Sequence, residues 1–512
     1  MSPAVPAEVR APVLVALAET GAIGSTDRQL AGRTDRPLHD VRRILTDLSR
    51  AGEVLQIGRG LWILSAFEEL DQRTDFIEPK EYVERFAREN GIRLDTYHGP
   101  ITFSANEALP VHRWWPYVQG YSAQFVAGLL ASAGLPRGAT VLDPFAGSGT
   151  TLVEARRAGF RAVGTELLAP AALAARVKAR FETPGAALEA SARRLVRKAR
   201  QRSPGTPPFL RETAHHFAAG TLEDLTRLRD ALPPGSDPVA EALRVAFGSI
   251  LIPVSRLRRS PCLGYELRPS SDAPDAFGAF LAAVRIMSED LRTLAHERSS
   301  WGPPADVRLA DARSLGLPAN SVDLAVTSPP YVNGMDYVMN YKLDLAWLGF
   351  AHSYPELARL RQALVACDNL PRNTVDAYLT TEDAPDPWLP SILAEIRANV
   401  ARKGSYRRDD MHAIVHRYFR DLVPVLRGVF HALKPGGRFV LVIGDSLLAG
   451  TYVPGDLILA RLGAGEGFRI RSVEIARARR SGQRRSFRLR ETIVTLEKPG
   501  DAPPRRALRT RA

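Results

Sequence analysis

The sequence predicts an α/β protein with an open, largely parallel sheet, a helical insertion and a small helical domain at the N terminus. A short apolar strand runs into a glycine-rich turn and a helix at 139–155. Strand and helix patterns resume at 307–496, and the stretch 181–300 between them has mostly helical periodicity. Alternating strands and helices are typical of a sheet covered by helices on both faces.

Composition and charge narrow the class of protein. The chain has 512 residues, enough for roughly two to four domains of about 100–200 residues each. Lys and Arg number 69 against 56 Asp and Glu, a formal charge of +13. Either a polyanionic partner or an arginine-favouring, GC-rich genome explains this excess. With 2 Cys, no disulfide framework or Cys-rich zinc site is expected. We expect a cytoplasmic protein, because no long apolar run and no signal-peptide pattern is evident.

The first 68 residues combine three helical patterns with a hairpin signal around Gly58 to Gly60. The helices are predicted at Val9 to Thr20, Asp27 to Ala31 and Pro37 to Ala51. This plan resembles the winged helix-turn-helix domains of many bacterial DNA-binding regulators. The resemblance implies a third helix in the major groove, with Arg42 and Arg43 near the phosphates. A winged helix that binds protein is the alternative.

The strongest local motif is DPFAGSGT, in which a buried strand ends at Asp143 and a helix begins near Thr150. Gly147 and Gly149 let the turn approach a ligand closely, and the helix N terminus offers unpaired N–H groups. The turn is not GxGxxG and lacks the GK[ST] of a Walker loop. Glu166 ends the next strand, where an acidic side chain suits ribose hydroxyls; a solvated loop carboxylate is the alternative. The motif predicts a ligand-binding turn at the carboxyl end of the strand.

A second motif, SPPY, follows a buried strand at Ser328 to Tyr331. Pro329 and Pro330 lack N–H donors and stiffen the turn, so carbonyl oxygens face outward. The Ser328 hydroxyl and the Pro329 carbonyl could accept both N–H groups of an exocyclic amine and orient its lone pair. The flat ring of Tyr331 suits stacking against a base taken out of the duplex.

Together, DPFAGSGT and SPPY resemble the motifs of S-adenosylmethionine-dependent DNA amino methyltransferases, of the N4-cytosine and N6-adenine type. The resemblance implies a Rossmann-like class I methyltransferase sheet and S-adenosylmethionine as cofactor, with Gly147 to Gly149 against its methionine part. Glu166 would bind the ribose and Asp311 the adenine amine; for Asp311 a helix N-cap is the alternative. The implied catalytic residues are Ser328, Pro329, Pro330 and Tyr331. The implied cofactor-binding residues are Asp143, Pro144, Phe145, Gly147, Gly149, Thr150, Glu166 and Asp311.

The same resemblance suggests a division of the chain. We expect a winged helix at 1–68, a connector and cofactor-covering segment at 69–120, a methyltransferase domain at 121–180 and 301–498, a helical insertion at 181–300, and a disordered tail at 499–512. In many SPPY enzymes the catalytic motif precedes the cofactor motif. Here the order is reversed, as in a circular permutation. The position of a target-recognition region therefore does not carry over, and both 181–300 and 350–411 are candidates.

The target base is predicted to be cytosine at N4, since serine at the first motif position accompanies cytosine more often in the family. N6 of adenine is the first alternative, followed by an RNA or tRNA base, and then by a non-catalytic DNA-binding regulator. Cys262 follows a proline, as the nucleophile of cytosine C5 methyltransferases does. It precedes the SPPY strand and lacks the expected companion motif, so it is interpreted as a packing cysteine.

Double-stranded DNA is the expected partner, and a restriction nuclease or another defence system is a further possible one. An arginine-dense segment at 471–490 is predicted to form a hairpin whose loop contacts phosphates; a solvated basic loop is the alternative. The arginines expected to bind nucleic acid are Arg42, Arg43, Arg479, Arg480, Arg484 and Arg485. No metal site is expected, and the recognition sequence and oligomeric state are left open.

Overall fold

The fold was analysed in a computed structural model. It describes residues 6–18, 25–51, 53–58, 61–64, 80–115, 117, 120–180, 185–211, 213–260, 264–267, 275–332, 336–365, 384–403, 409–480 and 488–500. Cys262 therefore lies outside the described residues, as do Arg484 and Arg485 and most of the expected C-terminal tail. Among the described helices, none is long and apolar enough to cross a membrane.

The N-terminal unit contains three helices, Ala7–Ala18, Asp27–Thr34 and Leu38–Arg50, and three short strands. The strands are β1 (Ser25–Thr26), β2 (Val54–Gly58) and β3 (Leu61–Leu64), in the antiparallel order β1-β3-β2. Thr26 caps the second helix in a reciprocal arrangement with Gln29, which stabilises the helix start. Pro37 is the N-cap of the third helix rather than part of it. The three helices and the hairpin are present where they were predicted, and both the winged-helix assignment and a role in DNA binding stay predictions.

The remaining strands build one large sheet and two small hairpins. They are β4 (Leu94–Thr96), β5 (Thr140–Asp143), β6 (Arg161–Glu166), β7 (Leu257–Ser260), β8 (Gly264–Leu267), β9 (Asp306–Leu309), β10 (Val322–Thr327), β11 (Leu433–Gly444), β12 (Ser446–Leu448), β13 (Thr451–Val453), β14 (Arg469–Arg480) and β15 (Arg488–Glu497). The large sheet has the order β4-β14-β15-β11-β10-β5-β6-β9. Strand β15 is antiparallel to both of its neighbours, and the other pairings of this sheet are parallel.

The order of the five strands from β9 to β11 confirms the predicted Rossmann-like class I methyltransferase sheet. Counted along the chain from β5, they read 3-2-1-4-5, so the direction of winding reverses between β5 and β10. Such a switch point opens a crevice at the carboxyl ends of the strands, where ligands bind in open α/β sheets. DPFAGSGT follows β5 and SPPY follows β10. The fold therefore places both motifs at this crevice.

Helices cover both faces of the sheet. Two successive residues of β10, Leu324 and Ala325, belong to separate apolar clusters, because successive side chains of a strand point to opposite faces. The connector contains the helix Lys80–Asn90. The described helices that follow the connector, outside 181–300, are Ala123–Ser132, Thr150–Arg157, Ala169–Lys178, Tyr337–Trp347, Tyr354–Ala363, Leu389–Lys403, Met411–Ala432 and Gly455–Gly465. Burial on both faces explains the apolar run Leu324 to Val326 in the central strand β10.

The stretch 181–300 is mainly helical, as predicted, and it also contains the β7–β8 hairpin, which the sequence did not indicate. Its helices are Gly185–Arg200, Thr213–His216, Ala219–Ala231, Pro238–Ile250 and Ala276–Thr293. Short 3-10 helices occur at Phe103–Ala108, His112–Trp114, Leu294–His296, Arg298–Ser300 and Ala312–Ser314.

Two details complete the large sheet. In the connector, β4 pairs in parallel with β14 at the sheet edge. In the LKPGG segment, β11 already begins at Leu433. The pairing with β10 jumps from Leu433 to Arg438, so the turn is present as an irregularity inside the strand. Gly436 supplies the positive φ of 79° that this irregularity needs.

Candidate active site

The two motifs start at strand ends whose side chains are directly bonded: DPFAGSGT starts at Asp143, and SPPY starts one residue beyond Thr327. Strands β5 and β10 are neighbours, with Val141 opposite Leu324. At their ends, the Thr327 hydroxyl donates a hydrogen bond to Oδ1 of Asp143 at 2.6 Å. Ser328 follows Thr327, and Pro144 follows Asp143. The cofactor turn and the catalytic turn therefore leave the same edge of the sheet side by side.

Asp143 is a buried hub beneath both turns. Its Oδ1 also accepts the backbone N–H of Phe145 at 3.0 Å, and its Oδ2 accepts the Tyr121 hydroxyl at 2.8 Å. Burial raises the pKa of Asp143, and the hydrogen bonds from Thr327 and its other donors oppose that rise. The Asp143 carboxylate holds the start of both turns in place and so supports cofactor binding indirectly.

The glycines of the cofactor turn are required by close approaches. Gly147 has a φ of 51°, and a Cβ there would lie 2.8 Å from Cζ of Tyr117. Gly149 has a φ of 88°, and a Cβ there would lie 2.9 Å from Cα of Ala175. Gly149 is also the N-cap of the helix that begins at Thr150. Side chains at these two positions would displace the covering tyrosine or the neighbouring helix.

Polar groups of the turn fit the cofactor that the motif implies. Ser148 Oγ is buried and has no hydrogen-bond partner among the described residues, and a buried hydroxyl left unpaired is costly. Glu166, at the end of β6, accepts the N–H of Gly147 through Oε2 at 2.9 Å and that of Leu168 through Oε1 at 2.8 Å. Each carboxylate oxygen keeps a further lone pair for a ribose hydroxyl. Burial raises the pKa of Glu166 to about 7.

Asp311 lies two residues beyond β9, whose Leu309 is paired with Glu166. Its side chain caps the 3-10 helix Ala312–Ser314 by accepting the N–H of Arg313, and it also forms an ion pair with that arginine at 2.6 Å. Burial acts to raise the pKa of Asp311, but the hydrogen bonds and charge of Arg313 lower it overall. The alternative of a helix N-cap thus describes the geometry, and a contact with adenine stays a prediction.

The catalytic turn is anchored at its far end by a residue that the sequence analysis missed. Ser328, Pro330 and Tyr331 are half-buried, whereas Pro329 is buried. The Tyr331 hydroxyl is hydrogen-bonded to Oε1 of Glu491 on β15, and Oε2 of Glu491 accepts Nε of Arg477. Polar residues surround Glu491 in β15, whose sequence is RLRETIVTLE, so no local pattern singled it out. This contact anchors the hydroxyl end of the Tyr331 side chain to β15.

A buried ionic cluster supports β15 next to Glu491. Arg490 is 7% exposed, and its Nε donates to Oδ2 of Asp456 at 2.7 Å. Its N–H donates to Oδ1 of Asp445 at 2.8 Å, and Tyr452 donates to Oδ2 of Asp445 at 2.7 Å. The prediction that Arg490 contacts phosphates with the rest of its segment is therefore wrong, because its guanidinium is buried and paired.

Asp336 and Tyr337, which follow Tyr331 along the chain, differ in role. Asp336 caps the helix Tyr337–Trp347 and pairs with Arg361 at 2.8 Å, so its carboxylate serves the helix and not the crevice. Tyr337 is half-buried, and burial followed by the charge of Glu166 raises its pKa. Tyr337 therefore stays protonated on the cofactor side of the crevice.

The arginines expected to bind nucleic acid are only partly described. Arg42 is largely exposed, with its Nε 2.6 Å from Asp27, and Arg43 is exposed 3.7 Å from Asp40. Arg479 and Arg480 end β14, paired with Leu489 and Arg488. The predicted hairpin is present, and its loop lies outside the described residues.

The segment that carries the cofactor motif matches a known family, and two known proteins are similar to most of the chain. Residues 125–173 match the family model described as DNA methylase, a span that contains β5, the glycine turn and Glu166. The Type II methyltransferase M.BsoBI of Geobacillus stearothermophilus is 23% identical over 461 residues, covering 78% of this chain and 88% of that protein. M.AvaI of Nostoc sp., also named a Type II methyltransferase, is 25% identical over 458 residues, covering 79% and 90%.

Among solved structures, a methyltransferase of Methanosarcina mazei, described as S-adenosylmethionine-dependent, covers 73% of this chain and 98% of its own. It is 12% identical with a TM-score of 0.25, too low to add to the assignment. The sheet order, the glycine turn and the family match define the chain as an S-adenosylmethionine-dependent methyltransferase. Within this class, the family model and the two relatives support a DNA methyltransferase of the amino-group type.

Proposed function

We propose that this enzyme transfers the methyl group of S-adenosylmethionine to N4 of a cytosine that has been turned out of double-stranded DNA. The observation that supports this proposal most strongly is the 2.6 Å bond between Thr327 and Asp143, which ties the start of SPPY to the start of the cofactor turn. Two sites on adjacent strand ends allow a methyl donor and an acceptor to meet directly.

The cofactor would be held by the turn after β5 and by residues at the ends of β6 and β9. The N–H groups at the start of the helix Thr150–Arg157 and the hydroxyl of Ser148 would face its methionine part, with Pro144 and Phe145 in the same turn. Glu166 would accept hydrogen bonds from the ribose hydroxyls, and Asp311 would accept one from the adenine amine. Once bound, the cofactor supplies an electrophilic methyl group on a sulfonium.

The catalytic turn acts on the amine by orientation. The Ser328 hydroxyl and the Pro329 carbonyl accept the two N–H groups of the amine, so that its lone pair points toward the cofactor turn. The same acceptors stabilise positive charge that develops on nitrogen. Tyr331, fixed by Glu491, stacks against the base. Serine at 328 favours cytosine over adenine as the target, as it does in the enzymes that this motif resembles.

The first test identifies the molecule that accepts the methyl group. Purified protein is incubated with tritiated S-adenosylmethionine and amplified, methyl-free genomic DNA, with tRNA, or with no nucleic acid. We expect label in DNA alone. Label in tRNA alone would contradict the DNA assignment, and no label in any sample would favour a non-catalytic DNA-binding protein.

Cofactor affinity is expected to rise with pH because of Glu166. Its pKa of about 7 means that the free protein holds a proton there below neutrality, whereas ribose hydroxyls donate to the ionised form. Binding therefore releases a proton, and the affinity for S-adenosylhomocysteine should rise about tenfold from pH 6 to pH 8. Titration calorimetry at several pH values measures this. Glu166→Gln is the control, and an unchanged slope in that variant would exclude Glu166 as its origin.

DNA binding is expected to weaken steeply with salt. We propose that the phosphates are bound by Arg42, Arg43, Arg479, Arg480, Arg484 and Arg485. Each phosphate contact contributes about −0.9 to the slope of log K against log salt. Replacing Arg484 and Arg485 by alanine should reduce that slope by about 2. Arg427 and Arg469 are paired with Glu466 and Glu497, and their double alanine variant, with the same loss of charge, should leave the slope unchanged.

The relatives suggest a biological setting. Both are named Type II methyltransferases, and we propose that this enzyme likewise protects DNA against a partner restriction nuclease. The N-terminal unit and the stretches 181–300 and 350–411 are the candidate readers of the target sequence. Sequencing of DNA from cells that express the protein would give the modified sites.

A further inference from the structure

The turn Val111–Trp115, which precedes the cofactor motif in the sequence, is held on one side by a single buried carboxylate. Asp290, 2% exposed, lies on the insertion helix Ala276–Thr293. Its Oδ2 accepts the N–H of Val111 at 2.9 Å, Nε1 of Trp114 at 2.8 Å and Nε of Arg113 at 3.1 Å. Val111 has a φ of 69°, which is unfavourable for a β-branched residue. The insertion therefore imposes a conformation that this turn would not adopt alone.

Two more buried charges hold the same turn from the side of the sheet. His112 Nε2 lies 2.8 Å from Oε1 of Glu154, on the helix that follows the glycine turn. Lys178 is fully buried and donates to the carbonyl of Trp115 at 3.2 Å; its helix follows Glu166. We call Asp290, Glu154 and Lys178 the buried clamp. Burying three charged side chains around five residues costs stability that apolar packing would not.

The turn leads directly into the side chain that covers the cofactor loop. Two residues beyond Trp115, the phenol of Tyr117 reaches Gly147 so closely that a Cβ there would lie 2.8 Å from Cζ. The ring centroids of Phe103 and Tyr341 lie 6.2 Å from that of Tyr117. The ring of Tyr117 thus forms a wall of the cofactor turn. Its position depends on where the preceding turn, Val111–Trp115, ends.

We infer that Asp290 is a positioning residue for cofactor binding: it holds the turn Val111–Trp115 so that Tyr117 stands preformed against Gly147. The inference rests on the proposed cofactor site. It gives the insertion a function apart from recognising DNA, since a residue 179 positions away sets the cover of the cofactor. Preforming a wall raises affinity because less motion is lost on binding.

The test measures cofactor affinity and turnover separately. Asp290→Asn replaces one carboxylate oxygen by an NH2 group, which would face the N–H donors that the oxygen now accepts. The turn should lose its fixed position, and the dissociation constant of S-adenosylhomocysteine should rise about tenfold. kcat at saturating cofactor should stay within about threefold, because the SPPY turn is untouched. Glu289→Gln, an exposed neighbour on the same helix, should change neither. A normal affinity in Asp290→Asn, or equal losses in affinity and kcat, would overturn the inference.

A double-mutant cycle tests the route through Tyr117. Tyr117→Ala should weaken cofactor binding, and adding Asp290→Asn should then have little further effect, since the wall is already gone. Additive losses would overturn the inference. If Asp290→Asn does not fold, Arg113→Gln removes part of the same contacts at a half-exposed position and should weaken binding severalfold; no change would again overturn it. Unchanged binding in both Glu166→Ala and Tyr117→Ala would instead reject the cofactor site itself.

Discussion

Ser328→Ala is expected to lower kcat about 100- to 1,000-fold while leaving the affinity for S-adenosylhomocysteine unchanged. The hydroxyl is one of two acceptors that we assign to the target amine, and its value increases as positive charge develops on nitrogen. A group that acts mainly in the transition state lowers kcat and kcat/KM together. Single-turnover methyl transfer to methyl-free DNA, with calorimetry for the cofactor, measures both quantities.

The matched control is Ser321→Ala. Ser321 precedes the same strand at its other end, where its hydroxyl donates to the carbonyl of Pro318 at 2.7 Å. This variant should transfer methyl groups at nearly the normal rate. Turnover of Ser328→Ala close to that of the control would show that Ser328 does not bind the amine.

Tyr331→Ala is expected to reduce kcat/KM for DNA roughly 5- to 150-fold, since stacking of a base on an aromatic ring contributes about 1–3 kcal/mol. Cofactor binding should persist, because Tyr331 lies on the SPPY side of the crevice. Tyr331→Phe keeps the ring and loses only the bond to Glu491, so its kcat/KM should fall between those of the wild type and Tyr331→Ala.

Comparison of the two Tyr331 variants separates stacking from anchoring. If the phenylalanine and alanine variants lose the same amount, the hydroxyl is the important group and Tyr331 does not act by stacking. If neither loses activity, the base binds elsewhere. Wild-type cofactor affinity in both variants is the check that the crevice is intact.

The sequence predicted the motifs well because each is local. A strand, a glycine turn and a helix within about twenty residues fix where Asp143 and Gly147 lie, and the rule that ligands bind at carboxyl strand ends predicts that both motifs meet. The same reasoning, applied to the next strand, predicted the position of Glu166. The sheet order confirms the fold class that these local patterns indicated.

Contacts between distant segments could not be predicted in this way. Glu491 is 160 residues from Tyr331, and Asp290 is 179 from Val111, and no short pattern marks either pair. Arg490 was grouped with its exposed neighbours because composition does not tell a buried, paired guanidinium from a solvated one. Likewise, Asp311 has the sequence position of a ligand contact and the geometry of a helix cap.

The most direct test of the central claim is the identity of the product. Methyl-free DNA is treated with the enzyme and S-adenosylmethionine carrying a deuterated methyl group, digested to nucleosides and analysed by mass spectrometry against standards. The account predicts label on an exocyclic amine, as N4-methyldeoxycytidine; label on N6 of deoxyadenosine would keep the site and reassign its base. Label on ring carbon 5 of cytosine, or no labelled nucleoside, would contradict a site built from Asp143, Ser328 and Tyr331.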